Sequence, residues 1–287
     1  MLSQTMDYHQ EFKRDKDRNF IRSDTVVEFL ESRTQLYDFD HLGYEVKSVE
    51  NIDSIFLVIN PDPLNFSLIP EDSLVITHHK ISTHKNRIYS TMLDQARKDR
   101  YNIFNFHLGW DIMPGGIGDS FLRSFGLSRS DFQKVDLTYR GHAIKNLGAI
   151  VNHEIPIDNL VKRLTVMNVD PSVIINPQCK SSRIGYIPGG GFVDQMIIEM
   201  ADLGVDTLIS SDPNWVVETI AREVGVTLIG INHYISERYG LQSMKTLLTK
   251  HFPEVDVHIL ENIDNIGCSE EGYAYWIENR YPKDIRI

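Results

Sequence analysis

The sequence predicts an α/β protein in which strands alternate with helices. Short apolar runs of the kind that fill buried strands recur along the chain, and helical periodicity follows several of them. The alternation is regular in the second half, where strands are expected over residues 183–187, 206–210, 226–231 and 255–260. Such regular alternation favours a largely parallel sheet.

Composition places the chain among ordinary globular proteins and argues against some functions. Its 287 residues are 41% hydrophobic and 24% charged, which allows one large or two medium domains with a core. A net charge of −11 without a basic stripe argues against nucleic acid as a partner. No run approaches the roughly 18 apolar residues of a membrane-spanning helix, so no membrane partner is expected.

Cysteine usage and the first residues predict a cytoplasmic location. The two cysteines, Cys179 and Cys268, lack the spacing of a zinc knuckle or a disulfide framework. Residues 1–24 are polar and mixed in charge, without the apolar core of a signal peptide. We therefore expect a reducing environment.

The first half of the chain predicts less regular elements. A helix is expected from about Ser23, where Thr25 and Glu28 have capping-box spacing. Residues 39–44 are expected to form a turn, and the proline-rich stretch 61–72 is unsuited to a full crossover helix. The other predicted elements are a strand over 54–60, a helix over 86–100, a strand over 101–106, a glycine-rich turn and short helix after Pro114, antiparallel strands over 134–150 and a helix over 157–166.

The absence of a strong linker predicts two interleaved lobes. The first lobe is expected over residues 23–132 and the second over 133–260. A polar extension, residues 1–22, precedes them, and a tail with aromatic residues, 261–287, follows. The tail has no place in the alternation, so we expect it to pack on a neighbouring subunit or on the body of the chain. A homo-oligomer is the expected assembly.

Three pairs of potential metal ligands follow three of the predicted strands. They are His78 with His79, His107 with Asp111, and His233 with Glu237. Sites in α/β folds gather beyond the carboxyl ends of strands, and neutral imidazole is the commonest protein metal ligand. The first histidine pair alone fits polar loop residues equally well, but the three pairs together favour metal binding.

Spacing and number suggest how these side chains bind. Helical positions four apart share a face, so His233 and Glu237 can point at one ion. His107 and Asp111 have the same spacing, but Gly109 favours a loop there. Six donors exceed the needs of one four-coordinate zinc ion. They suit two ions about 3.5–4 Å apart, bridged by a carboxylate that we assign to Glu237.

Three segments carry a resemblance to a known family. They are Ile76-Thr77-His78-His79, Asn105-Phe106-His107-Leu108-Gly109-Trp110-Asp111 and Ile231-Asn232-His233-Tyr234-Ile235-Ser236-Glu237. The chain resembles the Nif-three-like family in these segments; the family is also called GTP cyclohydrolase I type-two-like. Order and rough spacing match from about Val26 to Leu260. Segments 39–43, 114–116 and 183–191 add support.

The resemblance implies a dinuclear metal centre. Its ligands would be His78, His79, Asp111, His233 and Glu237, with His107 beside them as a further ligand or a proton carrier. Two divalent ions per chain are implied; zinc, iron, manganese and nickel are not distinguished, with zinc or iron favoured. Two interlinked α/β lobes and a ring-shaped homohexamer are also implied.

Two functions are compatible with such a centre. The first is a metal-dependent hydrolase acting on a small molecule, with a GTP cyclohydrolase-like, nucleotide or phosphoester substrate. The second is a non-catalytic, metal-containing oligomer that acts as a scaffold or regulatory interaction protein. An open coordination position occupied by water would distinguish the first from the second.

Some residues depart from the family pattern or carry weaker signals. Lys80 stands where the family usually has proline. Residues 210–212 replace threonine-glycine-aspartate, and a histidine usual a few residues later is absent. The Gly189–Gly191 turn could cradle a phosphate, but a structural turn is the preferred reading. Asp212 could support a ligand or cap a helix that begins at Pro213.

Overall fold

The computed structural model describes residues 19–83, 85–169 and 171–261 of the chain. Within these ranges the α/β class is confirmed, because helices and strands alternate along most of the chain. Cys268, nearly all of the predicted tail and most of the N-terminal extension lie outside the described residues. No helix in the described ranges is both long and apolar enough to span a membrane.

Thirteen strands are present in the described ranges. In chain order they are β1 (Ile21–Arg22), β2 (Leu42–Val46), β3 (Asn51–Ile52), β4 (Ser54–Val58), β5 (Ser73–Thr77), β6 (Asn102–Phe106), β7 (Gln133–Tyr139), β8 (His142–Pro156), β9 (Val173–Ile175), β10 (Lys180–Tyr186), β11 (Thr207–Ser210), β12 (Thr227–Gly230) and β13 (Asp256–Ile259).

Ten α-helices are present in the same ranges. They are α1 (Ser23–Glu31), α2 (Pro63–Phe66), α3 (Arg87–Lys98), α4 (Leu108–Ile112), α5 (Ile117–Ser124), α6 (Ile157–Val166), α7 (Asp194–Asp202), α8 (Trp215–Val224), α9 (His233–Glu237) and α10 (Tyr239–His251).

The described chain forms two compact units that are each discontinuous in sequence. Unit 1 contains the residues up to Val27, Leu42–Asn105 and the residues from Leu248 onward. Unit 2 contains Glu28–His41 and Phe106–Leu247. The predicted lobes follow chain order, whereas these units do not, and the boundary expected after residue 132 falls inside unit 2.

Unit 1 is built on a five-stranded sheet in the order β13-β4-β5-β6-β2. Strands β13, β4, β5 and β6 run parallel to one another. Every residue of β4, β5 and β6 is buried, which explains the apolar runs of β4 and β5. Helix α3 packs Met92 and Ala96 into the core beside Val75 and Ile103. Because β4 and β5 run parallel, the polar residues that follow them lie side by side at the carboxyl ends of the strands.

Unit 2 contains a six-stranded mixed sheet in the order β7-β8-β10-β11-β12-β9. Only the central strands β10, β11 and β12 are parallel; the pairs at both edges are antiparallel. The expectation of a largely parallel sheet therefore holds for the sheet of unit 1 and, in unit 2, for the centre of the sheet. Leu208 and Ile209 belong to different core clusters because successive side chains point to opposite faces.

Several predicted boundaries are corrected by backbone pairing. Ile21–Arg22, expected in a loose extension, pairs antiparallel with β3. The turn expected over residues 39–44 ends at Leu42, where edge strand β2 begins. Most residues of β2 are only partly buried, so the sequence pattern of a strand is weak there. Helix α8 begins at Trp215 rather than Pro213, because the Asn214 side chain accepts the N–H groups of the first turn.

Candidate metal centre

The first histidine pair of unit 1 continues directly from strand β5. The N–H of His78 donates to the Val58 carbonyl at 2.9 Å, and that of His79 to the Ile59 carbonyl at 3.0 Å. The Asn105 amide donates to the His78 carbonyl at 2.8 Å. His78 is completely buried, and its ring centroid lies 4.7 Å from that of His79. These backbone bonds therefore hold both histidines at the carboxyl ends of the strands.

His79 is also oriented through its side chain. Its Nδ1 lies 2.6 Å from Oδ1 of Asn60, the residue at the end of the neighbouring strand segment. With an amide oxygen accepting from Nδ1–H, the Nε2 atom of His79 carries the lone pair that a metal ion requires. Asn60 was not singled out as a functional residue, since no pattern in the sequence links it to His79.

In unit 2, the segment from His107 to Asp111 is helical, and the expected loop is wrong. The His107 carbonyl accepts the N–H of Trp110 at 2.8 Å and that of Asp111 at 3.3 Å. A Cβ on Gly109 would lie 2.5 Å from the Phe106 ring, so the glycine permits close packing rather than a turn. Helix α4 is buried throughout, and it carries Asp111 into the interior of unit 2.

Asp40 holds His107 and the start of α4 together. One carboxylate oxygen lies 2.9 Å from His107 Nδ1, and the other accepts the N–H of Leu108 at 2.9 Å. Although burial alone would lower the pKa of His107, the bond to Asp40 and the charge of Asp111 raise it. Asp40 lies in the segment 39–43 that supported the family resemblance, but its contact with His107 was not foreseen.

Helix α9 brings His233 and Glu237 together as the four-residue spacing predicted. His233 Nε2 lies 2.8 Å from Glu237 Oε1, and His233 Nδ1 lies 2.5 Å from Asp212 Oδ2. Asn232 caps the helix by accepting the N–H of Ile235. Glu237 is 1% exposed. Asp212 therefore orients the His233 ring through Nδ1, while the helix-capping role belongs to Asn214.

The glycine turn after β10 packs directly against α9. Gly189 has φ +58°, and a Cβ there would lie 2.5 Å from Glu237 Oε1 and 3.1 Å from His233 Nε2. The Gly189 carbonyl accepts the N–H of Ser211 at 3.1 Å. These contacts support the structural reading of the turn, which brings backbone close to the carboxylate because no side chain intervenes.

The family model described as Duf34/NIF3 (NGG1p interacting factor 3) matches residues 23–266. The chain belongs to the DUF34/NIF3 family. A relative from Methanothermobacter thermautotrophicus, named GTP cyclohydrolase 1 type 2 homolog, is 22% identical over 232 residues, covering 79% of this chain and 88% of the relative. The predicted family is thus confirmed.

Solved structures of low sequence identity share the DUF34/NIF3 fold. A Bacillus cereus protein related to NIF3 aligns with TM-score 0.70 and 10% identity over 87% of this chain and 98% of its own. Reduced HcgD from Methanocaldococcus jannaschii aligns with TM-score 0.69 and 16% identity over 85% and 99%. At these identities the likeness shows the fold alone.

Donor chemistry in this DUF34/NIF3 member fits divalent cations. Histidine and carboxylate side chains that could hold an ion are present in each unit: His78 and His79 in unit 1, and His107, Asp111, His233 and Glu237 in unit 2. Burial raises the pKa of Asp111, and the negative charge of Glu237 adds to this effect. Two buried carboxylates that repel each other are stabilised by a cation placed among them.

Metal binding to the metal-free protein is expected to release protons. Burial opposes a charge on His233, but the bonds to Asp212 and Glu237 outweigh it and raise its pKa from 6.5 to about 10. An ion bound at His233 Nε2 must displace that proton, so apparent affinity should rise with pH up to about 10. Titration calorimetry at pH 7 in buffers of different ionisation enthalpy measures this proton release. A measurement that shows no proton release would contradict the expectation.

The same group makes the stability of the metal-free DUF34/NIF3 protein pH-dependent. Because the pKa of His233 in the folded protein exceeds the ordinary histidine value of 6.5, its contribution to stability is fully present below that pH. The contribution is lost as pH rises through about 10. Urea unfolding of the metal-free protein at pH 8 and pH 10 should therefore show a loss of stability that His233→Gln reduces.

Proposed function

We propose that this DUF34/NIF3 protein is a dinuclear metal-dependent hydrolase. The observation that carries the proposal is the arrangement in unit 2, where buried Glu237 contacts His233 and lies within electrostatic reach of Asp111. Carboxylates placed in this way are costly without a counter-charge. The name GTP cyclohydrolase 1 type 2 homolog, borne by relatives at low identity, suggests a nucleotide or phosphoester substrate.

The proposed ligands are His78, His79, Asp111, His233 and Glu237, with Glu237 bridging two ions. Two divalent ions bound there would supply Lewis acidity and a water molecule of lowered pKa. Zinc or iron is favoured, while the donor set also admits manganese and nickel. A homo-oligomer and a cytoplasmic location remain predictions; a monomeric mass at micromolar concentration would contradict the first.

His107 is proposed as the group that holds and moves a proton. Asp40 accepts from its Nδ1, so its Nε2 is the atom that can exchange a proton with substrate. The bond to Asp40 and the charge of Asp111 raise the pKa of His107, which favours the protonated ring. Asp212 orients His233 in the same way, through a hydrogen bond to Nδ1, and His233 Nε2 then faces Glu237.

A hydrolysis screen of the metal-loaded protein tests the proposal. GTP, other nucleotides and an aryl phosphodiester would be compared in wild type, Asp111→Asn and the surface control Asp158→Asn. Turnover that the first variant loses and the control retains supports a metal-dependent hydrolase. Equal turnover in both variants, or none with fully loaded wild type, would contradict it.

A second candidate is a metal-containing interaction protein, favoured by the family description as an interacting factor. In that case the ions would be structural and their coordination closed. The number of water molecules bound to the ions distinguishes the two functions. Water relaxation measurements on the manganese-loaded protein would report exchangeable water for a hydrolase and none for a closed site.

A further inference from the structure

Lys134, on strand β7 of unit 2, is a buried cation that the proposed chemistry does not use. Its side chain is 5% exposed, and its Nζ lies 3.4 Å from Oδ1 of Asp119, which is buried to a similar degree. Burial lowers the pKa of Lys134, and the charge of Asp119 opposes this shift. Buried ammonium groups are costly, so a lysine held here needs a structural or functional reason.

The ion pair connects β7 to the turn that follows Asp111. Asp119 Oδ2 accepts the N–H of Gly115 at 3.0 Å, and Ser120 Oγ donates to the Gly115 carbonyl at 3.2 Å. This turn joins α4, which carries Asp111, to α5, which carries Asp119. The position of α4 is therefore coupled to strand β7 through one carboxylate.

Gly118 lies close to both the Lys134 ammonium and the backbone of Asp111. A Cβ at Gly118 would lie 3.1 Å from Lys134 Nζ, 3.2 Å from the Asp111 carbonyl oxygen and 3.9 Å from Pro188 Cγ. Pro188 precedes Gly189, which contacts Glu237. Lys134 thus lies beside two backbone segments that carry or contact the proposed ligands.

We propose that Lys134 is a positioning residue that fixes Asp111 for metal binding by tying the α4–α5 turn to β7. The proposal rests on the metal centre proposed above. The ammonium acts on Asp111 through Asp119 and the turn, and it touches neither substrate nor ion. Loss of this anchor should weaken metal binding by roughly 10–100-fold, as for other residues that orient metal ligands.

A pair of variants separates positioning from stability. Lys134→Met leaves the Asp119 carboxylate buried without its partner, so both the stability of the metal-free protein and its metal affinity should fall. Lys134→Met/Asp119→Asn removes that unpaired charge, and the amide oxygen can still accept from Gly115. The double variant should regain most of the lost stability but retain the loss of affinity.

Cobalt titration provides the readout. Co²⁺ affinity and its d–d absorption spectrum report the ligand geometry, while urea unfolding of the metal-free protein reports stability. The exposed pair Lys180–Glu154 in the same unit, with an N···O distance of 2.9 Å, provides the control Lys180→Met/Glu154→Gln. This control should change neither affinity nor spectrum. If the double variant does not fold, Asp119→Asn alone, which removes the ion pair and keeps an oxygen that accepts from Gly115, replaces it with the same expectation.

The outcomes separate this proposal from the metal centre itself. Wild-type affinity and spectrum in the folded double variant, or in Asp119→Asn, would overturn the role of Lys134 and leave the centre intact. A wild-type protein that binds no cobalt would overturn the centre and the positioning role together. A weakened affinity with an altered spectrum in the stable double variant supports the proposal.

Discussion

Replacing Glu237 by glutamine is expected to reduce the metal content from about two ions per chain to one or none. The carboxylate is 1% exposed and lies against His233, so its charge is not dispersed into solvent. An amide oxygen carries no charge to offset two cations, and it bridges them poorly. His79→Ala should be milder, because it removes one neutral ligand from one ion.

Elemental analysis of the purified variants measures this effect. Glu218, an exposed glutamate four residues before Arg222 on helix α8, provides a matched control for the same substitution. Glu218→Gln should retain the wild-type stoichiometry. If Glu237→Gln also kept about two ions per chain, the bridging role would belong to another residue.

Gly189→Ala is expected to lower both the stability and the metal content. The backbone at Gly189 has φ +58°, a conformation that costs an L-residue roughly 1–2 kcal/mol. The added Cβ would also lie 2.5 Å from Glu237 Oε1, so the carboxylate must move. Backbone strain at Gly189 and displacement of Glu237 add to each other. The loss of stability should therefore exceed that caused by backbone strain alone.

Gly126→Ala is a control that distinguishes the effect of backbone strain from that of displacing the Glu237 carboxylate. Gly126 has φ +79°, but nothing lies within 4 Å of the position where its Cβ would be. Urea unfolding of both metal-free variants should show a loss of roughly 1–2 kcal/mol for Gly126→Ala and a larger one for Gly189→Ala. Only Gly189→Ala should lose metal. Equal losses of stability with unchanged metal content would refute the close packing inferred at Gly189.

The site was predictable where a local pattern carried it. Apolar runs followed at once by polar residues located His78, His79 and His233 at strand ends, because strand burial is a property of short segments. The spacing of His233 and Glu237 indicated a shared helical face, which α9 confirms. Such signals span a few residues, so a single sequence contains them.

Residues that act through tertiary contacts could not be found in this way. Asp40 and His107 lie 67 positions apart, and nothing local in either segment indicates the bond between them. Gly109 suggested a loop because its packing against Phe106 becomes visible only in the fold. Edge strand β2 is partly exposed along most of its length, so its apolar pattern is weak.

The discontinuity of unit 1 affects how the protein is made. Strand β4 has buried residues throughout, and one of its edges pairs with β13, whose residues lie 202 positions later in the chain. Until residues 256–259 have been synthesised and have left the ribosome, this edge of β4 lacks its native partner strand. A nascent chain therefore carries an apolar strand with unsatisfied backbone groups through most of its synthesis, which is the condition that favours edge-to-edge aggregation and chaperone capture.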